Sequence, residues 1–255
     1  MDKDTNENRH INKSKKELFK IMNNQTLKIV NDISLFKKYL DIQCKFEKYS
    51  VGNILLLQSQ APNTKQLNKE KQSLKDSVVY LLQPQKCKNQ GFSIYSLFSS
   101  EREYKSNSLV SEKLLLKGFL NKCPVDIKVV DSLNDKNVDW NKEMNLLYIK
   151  KGSNFPDLFY GISRELTKEE LGNDDSDLLR FKINCISYMI LKRYNIDTSC
   201  IDINKIPKEF IKESPKEIRK ELTELREGLT IFANRVDSFF YGLKKRNIKT
   251  DFKGR

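Results

Sequence analysis

Residues 214–243 carry the pattern that most constrains the fold. Ser214-Pro215-Lys216-Glu217 reads as a capping box with proline at the first helical position. Ile218, Leu222, Leu225, Leu229, Phe232, Val236, Phe239 and Leu243 then alternate steps of four and three. That period places one apolar stripe along a long helix. The stripe must be covered. Packing on the chain's own domain is the first expectation, and self-association or a partner helix is the alternative. Gly228 falls beside the stripe and weakens a helix by ~1 kcal/mol relative to Ala. The end beyond it, from Lys244-Lys245-Arg246 to Lys253-Gly254-Arg255, is basic. Such a tail either meets phosphate or is simply solvated.

Charge bears next on partners. The 255 residues carry 47 Lys and Arg against 34 Asp and Glu, a net charge of +13, with a pI near 9.3. This excess attracts polyanions, chiefly nucleic acid. A solubilising charge excess is the plainer alternative. Hydrophobic residues make up 38%, enough for real cores, and no run is long and apolar enough for a membrane span. The polar first residues lack a secretory signal pattern, so the expected location is the cytoplasm with no membrane contact. Cys44, Cys87, Cys123, Cys185 and Cys200 are dispersed without a C-x-x-C pair and read as reduced thiols.

Periodicity divides the chain into four expected segments. Residues 1–27 read as a polar leader, disordered or a loosely attached helix; 28–107 and 108–213 read as two small domains; 214–255 is the long helix with its basic tail. A helix is expected from Ser34 as N-cap, with Leu35, Tyr39, Ile42 and Phe46 on one stripe and Lys37, Lys38, Lys45 and Lys48 off it. A short apolar helix follows over 54–60, stopped at Ala61-Pro62-Asn63. Residues 77–82 and 92–98 are β-rich runs joined by a hairpin loop. After a polar linker over 99–112, the spacing predicts a helix at 112–120, strands at 125–130 and 146–149, a turn-rich 131–141, and helices at 156–171 and 177–194 with Asn195 as breaker. The fold class is therefore α+β: a helix-rich first domain with a β-hairpin, a second with a small sheet and helices, and the long final helix.

The single histidine, His10, lies in the leader. Triads, Cys–His pairs and two-histidine zinc sites are thereby excluded from the folded body. Against this stands Phe159-Tyr160-Gly161-Ile162-Ser163-Arg164-Glu165-Leu166-Thr167-Lys168. In a zincin the motif H-E-L-x-H would put two metal-binding histidines on one helix face, with Glu as general base. Here Arg164 and Lys168 occupy the histidine positions, and an arginine cannot serve as a neutral donor. Met144-Asn145-Leu146-Leu147-Tyr148-Ile149 upstream, and Asn184-Cys185-Ile186-Ser187-Tyr188 with Asn195-Ile196-Asp197-Thr198-Ser199 downstream, resemble the peptidase domain of the ImmA/IrrE type. In that resemblance Asn184 stands where the third zinc ligand, a Glu, belongs. It implies a degenerate peptidase domain without metal, cofactor or catalysis.

Lys48-Tyr49-Ser50-Val51-Gly52-Asn53-Ile54-Leu55-Leu56-Leu57-Gln58-Ser59-Gln60-Ala61-Pro62 resembles the Y-S-x-G-N-x-L-L-I…Q-x-P signature of the ArdC-type N-terminal domain. The Trp and G-E-K-G segment usual in that family is missing between helix and strand. The resemblance implies single-stranded DNA binding in an antirestriction or mobile-element protein. Lysines track the backbone of such a strand, and flat side chains stack its bases. The residues expected to do so are Lys37, Lys38, Lys45, Lys48, Tyr49 and Asn53, with Tyr80 and Tyr95 on the hairpin. Tyr49 has core packing as its alternative, and Asn53 a helix-capping role. Two competing readings stand beside this one. In the first, the peptidase-like half and the long helix grip a host defence protein. In the second, carboxylates such as Glu165 with Glu169, Asp174 or Asp175 act as a hydrolase.

Overall fold

The computed structural model describes residues 13–85, 91–102, 111–172, 176–212 and 214–251. His10, Cys87, Asp174, Asp175 and most of the expected linker lie outside them. The fold is mixed α+β, with two small sheets among seven helices in the described residues.

Three helices open the chain: α1 (Lys15–Val30), α2 (Ile33–Lys45) and α3 (Val51–Gln60). The leader expectation needs correcting from Lys15 onward. Ser14 caps α1 through a full capping box, and Leu18, Met22, Gln25 and Ile29 bury one face of it. Gln25 and Thr26 interrupt that face in polar type, which hides its periodicity in the sequence. Thr26 satisfies its hydroxyl internally by donating to the Met22 carbonyl at 2.8 Å. The start of α2 also shifts: Asp32, not Ser34, is the N-cap, and its Oδ1 accepts from Ser34 N and Leu35 N.

The first sheet has the order β1-β3-β2 and is antiparallel throughout, built from β1 (Gln66–Asn68), β2 (Ser77–Pro84) and β3 (Phe92–Ser100). Its outer strand β2 is closed off by side chains of α3. Asn53 Nδ2 donates to the Leu82 carbonyl and Asn53 Oδ1 accepts from Leu82 N, both at 2.9 Å. Two helical turns on, Gln60 repeats the device with Tyr80, donating to its carbonyl at 2.9 Å and accepting from its N–H at 3.2 Å. Side-chain amides thus take the place of a neighbouring strand and satisfy an edge that would otherwise be open.

The second half holds α4 (Glu112–Phe119), then a sheet of order β4-β6-β5 made from β4 (Asp126–Val130), β5 (Val138–Asn141) and β6 (Leu146–Lys150). Strands β4 and β6 run parallel, and β5 lies antiparallel to β6. The stretch read as turns over 131–141 therefore contains a strand, β5, too short for its alternation to show. Helices α5 (Phe155–Leu171) and α6 (Asp177–Arg193) follow, the latter ended by Asn195 in a left-handed conformation at φ 56°. Gly161 lets α5 approach the sheet, because a Cβ there would sit 2.7 Å from Val138 Cγ2.

Helix α7 (Pro215–Asp251) binds the halves together. Ile218, Leu222, Leu225, Leu229, Phe232 and Val236 are each at most 1% exposed, so the stripe is used within the molecule over this stretch. It packs against α1 and α3 on one side and α4 and α6 on the other. A Cβ at Gly228 would meet Ile186 Cδ1 at 2.6 Å, so that glycine permits the α6–α7 crossing. One buried cluster runs through both halves. Phe36 of α2 meets Phe181 at 5.5 Å and Phe210 at 5.7 Å, while Phe119 meets Phe159 at 4.3 Å and Phe232 at 5.3 Å. Tyr188 donates to Asp41 Oδ1 at 2.8 Å, and Arg193 pairs with Glu47 at 2.6 Å.

Candidate functional site

A groove of about 1040 Å³ opens between α1, the loop into α3, the hairpin and the start of α7. Its floor is the Ser50–Asn53 turn into α3, where Gly52 lets α1 come close: a Cβ would lie 2.8 Å from Met22 Sδ. Its apolar walls are Phe19, Phe92, Tyr49, Tyr95 and Pro84, and its cations are Lys48, Lys216 and Arg219. Phe19 and Phe92 meet edge-to-face at 5.9 Å, and Phe46 holds the Tyr49 ring at 6.1 Å. Burial raises the phenol pKa of both Tyr49 and Tyr95, and the Tyr49 phenol adds to the rise at Tyr95. Both are therefore neutral, half-buried rings at ordinary pH.

The residues expected to bind nucleic acid are only partly brought together. Lys48, Tyr49, Asn53 and Tyr95 line this groove. Asn53 is 7% exposed, and both ends of its amide are engaged with Leu82. It is a strand-edge clamp, and neither a free base-reading group nor the cap of α3, which is Ser50. Lys37 donates to Asn204 at 3.3 Å and Lys38 to Asn63 at 3.1 Å, both away from the groove. Lys45 lines a separate cleft with Lys192 and Arg193. Tyr80 does not line the groove, and Lys13 lies 5.9 Å from its ring centre. Sequence reasoning missed Phe19, Phe92, Lys216 and Arg219. The only sequence signal was two cations placed in the opening turns of a capped helix, an arrangement the helix dipole disfavours.

The zincin-like positions on α5 tell a different story. Glu165 is 5% exposed and is held by Lys168 Nζ at 2.9 and 3.0 Å, with Arg164 Nε at 3.3 Å. Asn184 Nδ2 donates to the Asp202 carbonyl at 2.9 Å, and the Tyr160 hydroxyl lies 3.4 Å from Asn184 Oδ1. Two cations thus surround this buried carboxylate. Among the described residues, no group of three or more His, Cys, Asp or Glu is placed to hold a metal ion. Burial and Glu170 raise the Glu169 carboxyl pKa, while Arg235 nearby opposes them. Cys44, Cys123, Cys185 and Cys200 are free thiols. Among the described residues, no helix is long and apolar enough to cross a membrane.

In comparisons with known proteins, no family model, no curated protein and no solved structure matches this chain.

Proposed function

We propose that the groove beside Tyr49 binds single-stranded nucleic acid, DNA in preference, and that the chain acts without catalysis as an antirestriction or DNA-transfer accessory of a mobile element. The observation that carries the binding is the composition of the groove: four aromatic rings and three cations line one open concavity. Unpaired bases stack on such rings at roughly 1–3 kcal/mol each, and the cations follow the backbone. The mobile-element role rests on the ArdC-type signature at residues 48–62. Paired charges around Glu165 support the non-catalytic reading of the second half.

Fluorescence anisotropy with a labelled single-stranded DNA oligonucleotide tests the binding. Affinity falls steeply with salt, and Tyr49→Ala weakens it by ~1–3 kcal/mol. A salt-independent titration, or a Tyr49→Ala protein that binds as the parent does, removes this reading.

A second reading, capture of a host protein by the peptidase-like half, draws on one observation. Ile127, Val129 and Met144 are 40%, 61% and 63% exposed around the outer strand β4. A partner pulled down from host lysate after nuclease treatment, and lost on Val129→Lys, would favour it.

A further inference from the structure

Arg219 differs from Arg193 and Arg235, two half-buried arginines that tie elements together through carboxylates. Arg193 Nη1 lies 2.6 Å from Glu47 Oε2, and Arg235 Nη2 lies 3.2 Å from Glu170 Oε1. Arg219 forms no ion pair among the described residues. Its acceptors are neutral, Asn23 Oδ1 at 2.7 Å and Thr26 Oγ1 at 3.3 Å, and both are reached from Nη1. Nε and Nη2 make no hydrogen bond among the described residues, and neither is sealed from solvent. Burial lowers the Arg219 pKa with no carboxylate opposing it. Lys216 precedes Arg219 by one turn, so the two share a helix face, and both line the groove. Both also stand in the opening turns of α7, at the positive end of its dipole. Desolvation, a like-signed helix end and a neighbouring cation all act against this guanidinium, and among the described residues no carboxylate pairs with it. Asn23 and Thr26 nonetheless fix its position through Nη1 alone.

We infer that Arg219 and Lys216 form a phosphate subsite of the groove, in which a backbone phosphate of the bound strand sits at the positive end of α7 while the adjoining bases lie on Tyr49 and Tyr95. This rests on the nucleic-acid reading above and adds a division of labour. The first half provides the stacking surface, and the last helix provides the charge. The planar fork donates to two phosphate oxygens through Nε and Nη2, which is the geometry that distinguishes arginine from lysine at such a site.

The test uses the full chain and a labelled single-stranded DNA oligonucleotide, titrated by anisotropy at several salt concentrations. Arg219→Gln removes the charge and keeps an N–H donor for Asn23. Lys37→Gln removes one charge outside the groove. Arg219→Gln is expected to weaken binding about tenfold and to lower the log–log salt slope by ~0.7, the value for one phosphate contact on a single strand. Lys37→Gln moves both far less, and Arg219→Lys falls between. Equal effects of Arg219→Gln and Lys37→Gln, or an unchanged slope in Arg219→Gln, overturn the subsite. In that event a loss of affinity in Tyr49→Ala keeps the groove reading, whereas no binding by the parent protein removes both. Displacement of the strand by inorganic phosphate at matched ionic strength would assign the subsite to the free ion and overturn it as well. Thermal melts check folding, and Lys216→Gln, at an exposed position, gives the same slope readout should Arg219→Gln unfold.

Discussion

The α5 face and the Tyr49 groove both set cations on partly buried helix surfaces, yet they balance charge in opposite ways. Around Glu165 the account closes inside the molecule: Lys168 and Arg164 surround one carboxylate that is 5% exposed. In the groove, Arg219 and Lys216 have no counter-charge among the described residues, and only neutral side chains orient the guanidinium. The first arrangement is satisfied within the fold, while the second leaves two cations without a described carboxylate, the contrast on which the proposed subsite rests.

The largest effect expected is at the paired site. Lys168→Met leaves Glu165 with Arg164 alone and costs about 3 kcal/mol in urea denaturation. The double variant Glu165→Leu with Lys168→Met recovers most of it, because no buried charge then remains. If Lys168→Met is neutral, the α5 face is not charge-locked and the contrast fails. Asn53→Leu comes next at about 2–3 kcal/mol, since it strands the N–H and carbonyl of Leu82. Oligonucleotide affinity of the remaining folded protein should not change, which would separate the groove's scaffold from its binding groups.

Alkaline stability tests whether the two regions belong to one cooperative unit. Burial pushes the Cys44 thiol on α2 up to about 12 and the Cys185 thiol on α6 well above its ordinary 9.0. Below pH 9 both states keep these protons. Above it only the unfolded chain releases them, so stability falls as pH rises toward the folded values, by ~1.4 kcal/mol per pH unit for each thiol. The single tryptophan, Trp140 on β5, and the overall helical signal should lose structure together along this limb. Separate transitions would show two independent units. The smallest effect is the most diagnostic: Arg219→Met shifts stability by no more than ~1 kcal/mol, because relief of an uncompensated charge offsets two lost hydrogen bonds. A loss near that of Lys168→Met would make Arg219 a structural tie and erase the comparison.

Much of the architecture is written locally. Capping residues at Ser50, Ser111, Asn154 and Ser176 and the apolar steps of α7 announce their helices through interactions within one or two turns. Strand β5 has only four residues, and β1 three, so pairing rather than pattern defines them. The site was legible only where it is local. Lys48 and Tyr49 stand out beside a helix start, but Arg219 becomes part of their groove only through a contact with Asn23 across 196 positions. Asn53 was ambiguous for a related reason: an amide looks the same in sequence whether it faces a ligand or completes a sheet edge.

The placement of α7 also orders the life of each newly made molecule. Synthesis makes the floor of the groove well before its cationic wall, so a nascent chain emerging from the ribosome carries α1 and α3 with the faces that await Ile218 and Leu222 still uncovered. Such a chain needs shielding until α7 has emerged, and the concavity between the hairpin and α1 stays without Lys216 and Arg219 until that helix docks.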